Sequence, residues 1–148
     1  MPFNDFLTTL ARKTEKLLGE EPGYYNSCNA NLYTLPGHNL YWHADNEKIF
    51  REAEAPSEKR KVLIASISYG ATRTFKIHKN LNKEESVDIE LKDGDVLTME
   101  GLLQDNFEHT LAPAKTGDNS SSSSSSSTRI NLTFRRLQRH HKDCPINS

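Results

Sequence analysis

Arg129-Ile130-Asn131-Leu132-Thr133-Phe134-Arg135 alternates polar and apolar residues without a break. Successive side chains of an extended strand point to opposite faces, so Arg129, Asn131, Thr133 and Arg135 share one face while Ile130, Leu132 and Phe134 share the other. The apolar face needs a core to cover it. The polar face is either a solvated edge or the wall of a polar cavity, and alternation alone fits both. Working outward, the same period recurs at Val87, Ile89 and Leu91, and Lys92-Asp93-Gly94-Asp95 supplies a turn after them. The extended runs in chain order are Asn29 to Leu35, Leu40 to Asp45, Val62 to Ser68, Thr72 to His78, Ser86 to Leu91, Val96 to Glu100, Glu108 to Ala112 and Thr128 to Leu137. Ahead of them Phe3, Phe6, Leu7, Leu10, Leu17 and Leu18 fall near helical spacing, with Gly19 as a stop. The pattern predicts a mainly β fold, a jelly roll of short strands with an N-terminal amphipathic helix packed on it.

A chain of 148 residues has room for one compact domain with a real core and is too short for two ordinary ones. The expected organisation is a helix and lead-in over 1–24, a β domain over 25–137, and a basic tail over 138–148. Ser120 to Ser127, preceded by Gly117, Asp118 and Asn119, carry no apolar surface to bury and read as a flexible loop over 117–127 inside the domain. A formal net charge of −1 argues against a broad electrostatic clamp on duplex nucleic acid, so any such contact is local. Basic clusters stand at Lys59 to Lys61, at Arg73, Lys76, His78, Lys79 and Lys83, and at Arg135 to Lys142. The longest apolar stretch, around Val62 to Ile67, is far short of the ~20 residues a membrane helix needs, and no charged-then-apolar leader is visible. The expected setting is intracellular, nuclear or cytoplasmic, for a monomer with no membrane partner. Cys28 and Cys144 match no zinc or redox spacing and are expected to be free thiols.

Chemistry enters at Tyr41-Trp42-His43-Ala44-Asp45. In a strand His43 and Asp45 project from one face and can meet one ion. A third ligand would complete a two-histidine, one-carboxylate set that leaves coordination positions open, the arrangement of non-haem Fe(II) oxygenases, and His109 is the candidate for it. Taken alone the His-x-Asp pair is a weak signal, since such pairs are usually just solvated. Arg129 and Arg135, about 20 Å apart at their Cα atoms for ~3.3 Å per residue, have side chains long enough to lean towards a dicarboxylate held between them. Their planar forks match carboxylates and stay charged at any physiological pH. Asn31 and Tyr33 form another same-face polar pair.

These stretches, together with Trp42 to Glu47, Ile64 to Phe75 and Asp93 to Gly101, resemble the AlkB family of dioxygenases from about Tyr25 to Leu137. The motif Arg-x-Asn-x-Thr-x-Arg after a distant histidine is highly specific. The resemblance implies a double-stranded β-helix holding Fe(II) through the catalytic ligands His43, Asp45 and His109. It implies binding of the cosubstrate 2-oxoglutarate by Asn31, Tyr33, Arg129, Asn131, Thr133 and Arg135. With O₂ such an enzyme would demethylate N-alkylated bases of the 1-methyladenine and 3-methylcytosine type in DNA or RNA, releasing formaldehyde, succinate and CO₂. On the same grounds Glu47, Arg73 and Tyr25 are the expected substrate contacts. Glu47 would share the face of Asp45 if its strand continued, and Arg73 would lie near the nucleic-acid backbone. The alternatives are the same iron chemistry on a modified RNA base or a protein side chain, and a catalytically idle nucleic-acid-binding member of the fold.

Overall fold

The computed structural model describes residues 3–46, 63–80, 82–114 and 128–137. The expected flexible loop over 117–127 and the basic tail over 138–148 lie outside them, as do Glu47 and Cys144; Cys28 is a free thiol.

Helix α1 (Asp5–Leu18) starts where the Asn4 side chain accepts the Leu7 N–H at 2.9 Å, and ends at Gly19, whose φ of 72° gives the left-handed cap. Phe3, Leu7, Leu10, Ala11 and Leu18 form its inward stripe, whereas Phe6 and Leu17 sit at the stripe's margin and are exposed. Glu15, also buried, turns its carboxylate onto the backbone N–H groups of Gly23 and Tyr25 and so ties the lead-in loop to the helix. No helix among the described residues is long and apolar enough to cross a membrane.

Eight strands follow: β1 (Ser27–Tyr33), β2 (Leu40–His43), β3 (Leu63–Gly70), β4 (Arg73–Lys79), β5 (Asn82–Leu91), β6 (Val96–Glu100), β7 (Phe107–Leu111) and β8 (Arg129–Arg135). They form two antiparallel four-stranded sheets, β1-β8-β3-β6 and β2-β7-β4-β5, the jelly-roll arrangement expected. A four-residue helix, α2 (Leu103–Asn106), joins β6 to β7 and has no counterpart in the periodicity of the sequence.

The two faces of the first sheet have different partners. Leu132 and Phe134 of β8, with Ala65 and Ile67 of β3, meet Ala11 and Tyr25 in the core beneath α1. A second core lies between the sheets, where Tyr33, Ile64, Phe75, Leu91, Met99 and Leu111 pack together. The alternation read from β8 therefore separates a dry layer under the helix from the space between the sheets.

Most strand ends differ from the sequence reading by one or two residues, and β5 starts four earlier, at Asn82; two of the differences bear on the site. β1 stops at Tyr33 because the Thr34 N–H turns to Nδ1 of His38 and the carbonyls of Leu35 and Pro36 are taken by the Arg73 guanidinium. β2 stops at His43, so Asp45 lies past the strand end and the premise that placed Glu47 on the same face fails.

The turn after β5 is docked onto β3: the Gly70 N–H donates to Oδ1 of Asp93 at 2.7 Å and the Gly94 N–H to the Ser68 carbonyl at 2.8 Å. Gly70 itself sits at φ 86°, where a Cβ would collide with the carbonyl oxygen of Thr128. That close approach sets the start of β8, and Gly70 pairs with Arg129. Gly70→Ala is expected to lower stability by at least ~1–3 kcal/mol, the cost of a non-glycine residue at positive φ. Urea denaturation checks this, and an unchanged midpoint would contradict it.

Candidate active site

Register brings the two histidines together. In the β2–β7 ladder His43 pairs with His109, and their ring centroids are 4.3 Å apart. One ligand atom each from His43, Asp45 and His109 lie within 4.8 Å of one another, with Nε2 of His43 4.0 Å from Oδ1 of Asp45. Nδ1 of His43 is 2.7 Å from the Tyr41 carbonyl oxygen, which can only accept; Nδ1 therefore donates there, and Nε2 is the nitrogen turned towards Asp45. His109 is buried against Phe75, with ring centroids 5.2 Å apart. Burial, then the neighbouring His43 and Arg135, push its pKa down to about 4 against the opposing pull of Asp45. Its imidazole is thus neutral at physiological pH. The buried Nδ1 of His109 has no partner among the described residues, so this trio of donors is incomplete without a further group.

A cavity of about 260 Å³ opens beside these three residues. Asn31, Tyr33, Arg129, Asn131, Thr133 and Arg135 all line it, from the strands β1 and β8. The two arginines mark different ends. Arg135 pairs with the Asp45 carboxylate at 2.7 Å, at the metal-binding end. Arg129 donates Nη2–H to the Ser68 hydroxyl at 2.7 Å and shares its surroundings with Tyr33. Its Nε and Nη1 are buried with no partner among the described residues, although the residue is only 1% exposed. Burial lowers the Arg129 pKa, with Tyr33 opposing, but an arginine so placed keeps its charge and calls for an anion. Asn131 is committed within the protein: its amide donates to the Ser66 hydroxyl and the Ile67 carbonyl and accepts from Thr133, fastening β8 to β3.

A metal trio at one end and a buried, half-satisfied guanidinium at the other suit a metal ion plus a small dicarboxylate. The sequence pattern that defines the 2OG-Fe(II) oxygenase superfamily matches residues 1–135. The chain belongs to this superfamily. Within it the chain is AlkB-like: it is 33% identical over 147 residues to the human protein named alpha-ketoglutarate-dependent dioxygenase alkB homolog 3, a match covering 94% of this chain and 45% of that one. It is 29% identical over 133 residues to the DNA oxidative demethylase ALKBH2 of Arabidopsis thaliana, covering 75% and 37%. The chain thus spans under half the length of these relatives. The solved structure of OsALKBH1 shares the fold, with a TM-score of 0.64 at 20% identity over 90% of this chain and 64% of that one. Superfamily membership implies Fe(II) and 2-oxoglutarate, and the donor set here fits both: two imidazoles and a carboxylate for the ion, an unsatisfied Arg129 for the dicarboxylate.

Two expected substrate contacts of this AlkB-like chain sit elsewhere. Arg73 is 2% exposed, and its guanidinium donates to the carbonyls of Leu35, Pro36, His38 and Ala112. It points inward from β4, where a phosphate cannot reach it, and braces the β1–β2 loop. Tyr25 is 1% exposed in the core under α1, packed against Phe134. Burial raises the pKa of its phenol and keeps it neutral. The family resemblance placed both near the substrate, but the direction of a long side chain is decided by the groups that surround it. Conversely, Ser66, Ser68 and Gln104 serve the site residues and carry no signal in the sequence that marks them for this. Arg73→Met is expected to cost about 2–4 kcal/mol in urea denaturation: hydrogen bonds from a charged donor are worth ~1.5–3 kcal/mol each, and water replaces part of them because the carbonyls are only part-buried. It should leave the salt dependence of nucleic-acid binding unchanged; a reduced salt slope at unchanged stability would restore the phosphate contact.

Proposed function

We propose that the chain is the catalytic core of an Fe(II)- and 2-oxoglutarate-dependent dioxygenase that removes N-methyl groups from bases of the 1-methyladenine and 3-methylcytosine type in DNA or RNA. The observation that carries the reading is the His43, Asp45 and His109 trio opening onto the same cavity as the orphaned donors of Arg129. The names of the relatives, a dioxygenase and a DNA oxidative demethylase, support the substrate class.

When bound, iron with 2-oxoglutarate and O₂ supplies the oxidising power: one oxygen atom goes into succinate as CO₂ leaves, the other hydroxylates the N-methyl carbon, and formaldehyde departs with the base restored. The chain's own residues do the positioning. His43, Asp45 and His109 would hold the ion, and three protein ligands would leave coordination positions for the cosubstrate and O₂. Arg129 neutralises the distal carboxylate through Nε and Nη1, and Arg135 stands at the proximal end against Asp45. Tyr33 and Asn31 add a phenol and an amide to the cosubstrate's walls. Leu91, Met99 and Leu111 line the rest of the cavity and keep bulk water from it. The target base must leave the stack to reach the site, and an alkylated base that pairs poorly is the cheapest to extrude.

The test is one assay: purified protein with Fe(II), ascorbate and 2-oxoglutarate, given single- and double-stranded methylated oligonucleotides. Formaldehyde is expected in step with methyl loss, and none from His109→Ala. Arg129→Met should weaken 2-oxoglutarate binding at least ~10-fold, each lost charge-assisted hydrogen bond being worth ~1.5–3 kcal/mol. Turnover on methylated peptides alone would reject the substrate class, and full turnover by His109→Ala would reject the site.

A further inference from the structure

Asp45 stands two residues beyond the end of β2, outside the β2–β7 ladder that fixes His43. Its backbone N–H is instead held by a side chain from another part of the fold: it donates to Oε1 of Gln104 at 2.8 Å. Gln104 belongs to α2 and is 3% exposed. Its Nε2 lies 3.4 Å from Sδ of Met99 on β6. This fixes the sense of the amide, since turning it over would set two donors against each other at Asp45 and leave the sulfur facing an oxygen.

We propose that Gln104 is a positioning residue for the metal centre, acting through the backbone of Asp45; the inference rests on the reading of His43, Asp45 and His109 as metal ligands. Asp45 has two fixed points. Arg135 holds Oδ1 of the carboxylate at 2.7 Å, and Gln104 holds the main chain. With both in place the carboxylate has one orientation towards the histidines; with only Arg135, it can follow the guanidinium away from them. The same segment does double duty. α2 runs directly into β7, so the clamp on Asp45 and the ligand His109 are carried by one continuous stretch, Leu103–Asn106 followed by Phe107–Leu111. Docking that stretch onto Met99 and Asp45 therefore sets the spacing of two ligands at once. Partners one step removed from a metal commonly tune its affinity ~10–100-fold.

The experiment titrates Co(II) alone into the metal-free full chain, following its visible absorption, for the unmodified protein and for Gln104→Leu, Gln104→Met and Gln104→Glu. Urea midpoints of the metal-free forms are measured alongside. Leu and the near-isosteric Met remove the acceptor, and each is expected to weaken Co(II) binding ~10–100-fold. Glu keeps an oxygen for the Asp45 N–H and is expected to restore most of that affinity. A residue that only held α2 in place would lower the midpoints without this rescue. The proposal is overturned if folded Leu or Met variants bind Co(II) like the unmodified chain, or if folded Glu loses as much as Met. Should Leu fail to fold, Met and Glu carry the comparison. An unmodified chain that binds no Co(II) would instead sink the metal centre itself, an outcome distinct from failure of the Gln104 clamp.

Discussion

The antiparallel register that sets His43 opposite His109 is the constraint on which the rest of the site depends. Side chains alternate in a strand, so a slip of one residue would turn His109 to the outer face and leave Asp45 with a single imidazole. The register is held by more than its own short ladder. β7 also pairs with β4 from Phe75 to Lys79, and Phe75 stacks on the His109 ring from the cavity side. Outside, Trp42 lies against His78 with centroids 3.9 Å apart, and His78 meets Glu108 at 3.1 Å, pinning β2, β4 and β7 together on that face. A four-residue edge strand is thereby fixed by contacts on both its faces.

The opposite sheet solves a different problem, which is to bury the Arg129 cation without neutralising it. Arg129 and Arg135 sit on the polar face of β8, whose other face anchors the core under α1 through Leu132 and Phe134. Burying a guanidinium is unfavourable unless donors find acceptors. Arg73 illustrates the nearly satisfied case, with four backbone carbonyls around its two terminal nitrogens and only Nε without a partner among the described residues. Arg129 illustrates the unsatisfied one, with a serine hydroxyl on one nitrogen and two nitrogens empty-handed. The contrast separates a brace from a binding group: the desolvation that Arg129 suffers in the free protein is offset when an anion enters.

Much of the fold was legible because period-two alternation is a direct consequence of backbone geometry. All eight strands lie where alternation and turn residues put them, and Gly19 ends the helix. The candidate ligands were legible for the same reason, as same-face polar sets on strands that closure of the jelly roll brings to one cavity. What alternation cannot convey is what happens past a strand end or at the tip of a long side chain. Asp45 meets the histidines from a loop, through Arg135 and Gln104, and not through continuation of β2. Arg73 and Tyr25 turn inward because backbone carbonyls and an aromatic core, distant in sequence, receive them. α2 is a single turn, too short to show a helical period.

The central claim is geometric: three side chains, from the end of β2, the middle of β7 and a loop, close on one ion, beside a cavity that holds a dicarboxylate along β8. Crystals grown without oxygen in Mn(II) and 2-oxoglutarate test it most directly, through the anomalous signal of the metal. The account predicts one ion bounded by His43, Asp45 and His109, with one end of the dicarboxylate beside it and the other on Arg129. An ion bound elsewhere, or a dicarboxylate lying outside the cavity with Arg129 still unpartnered, would contradict it.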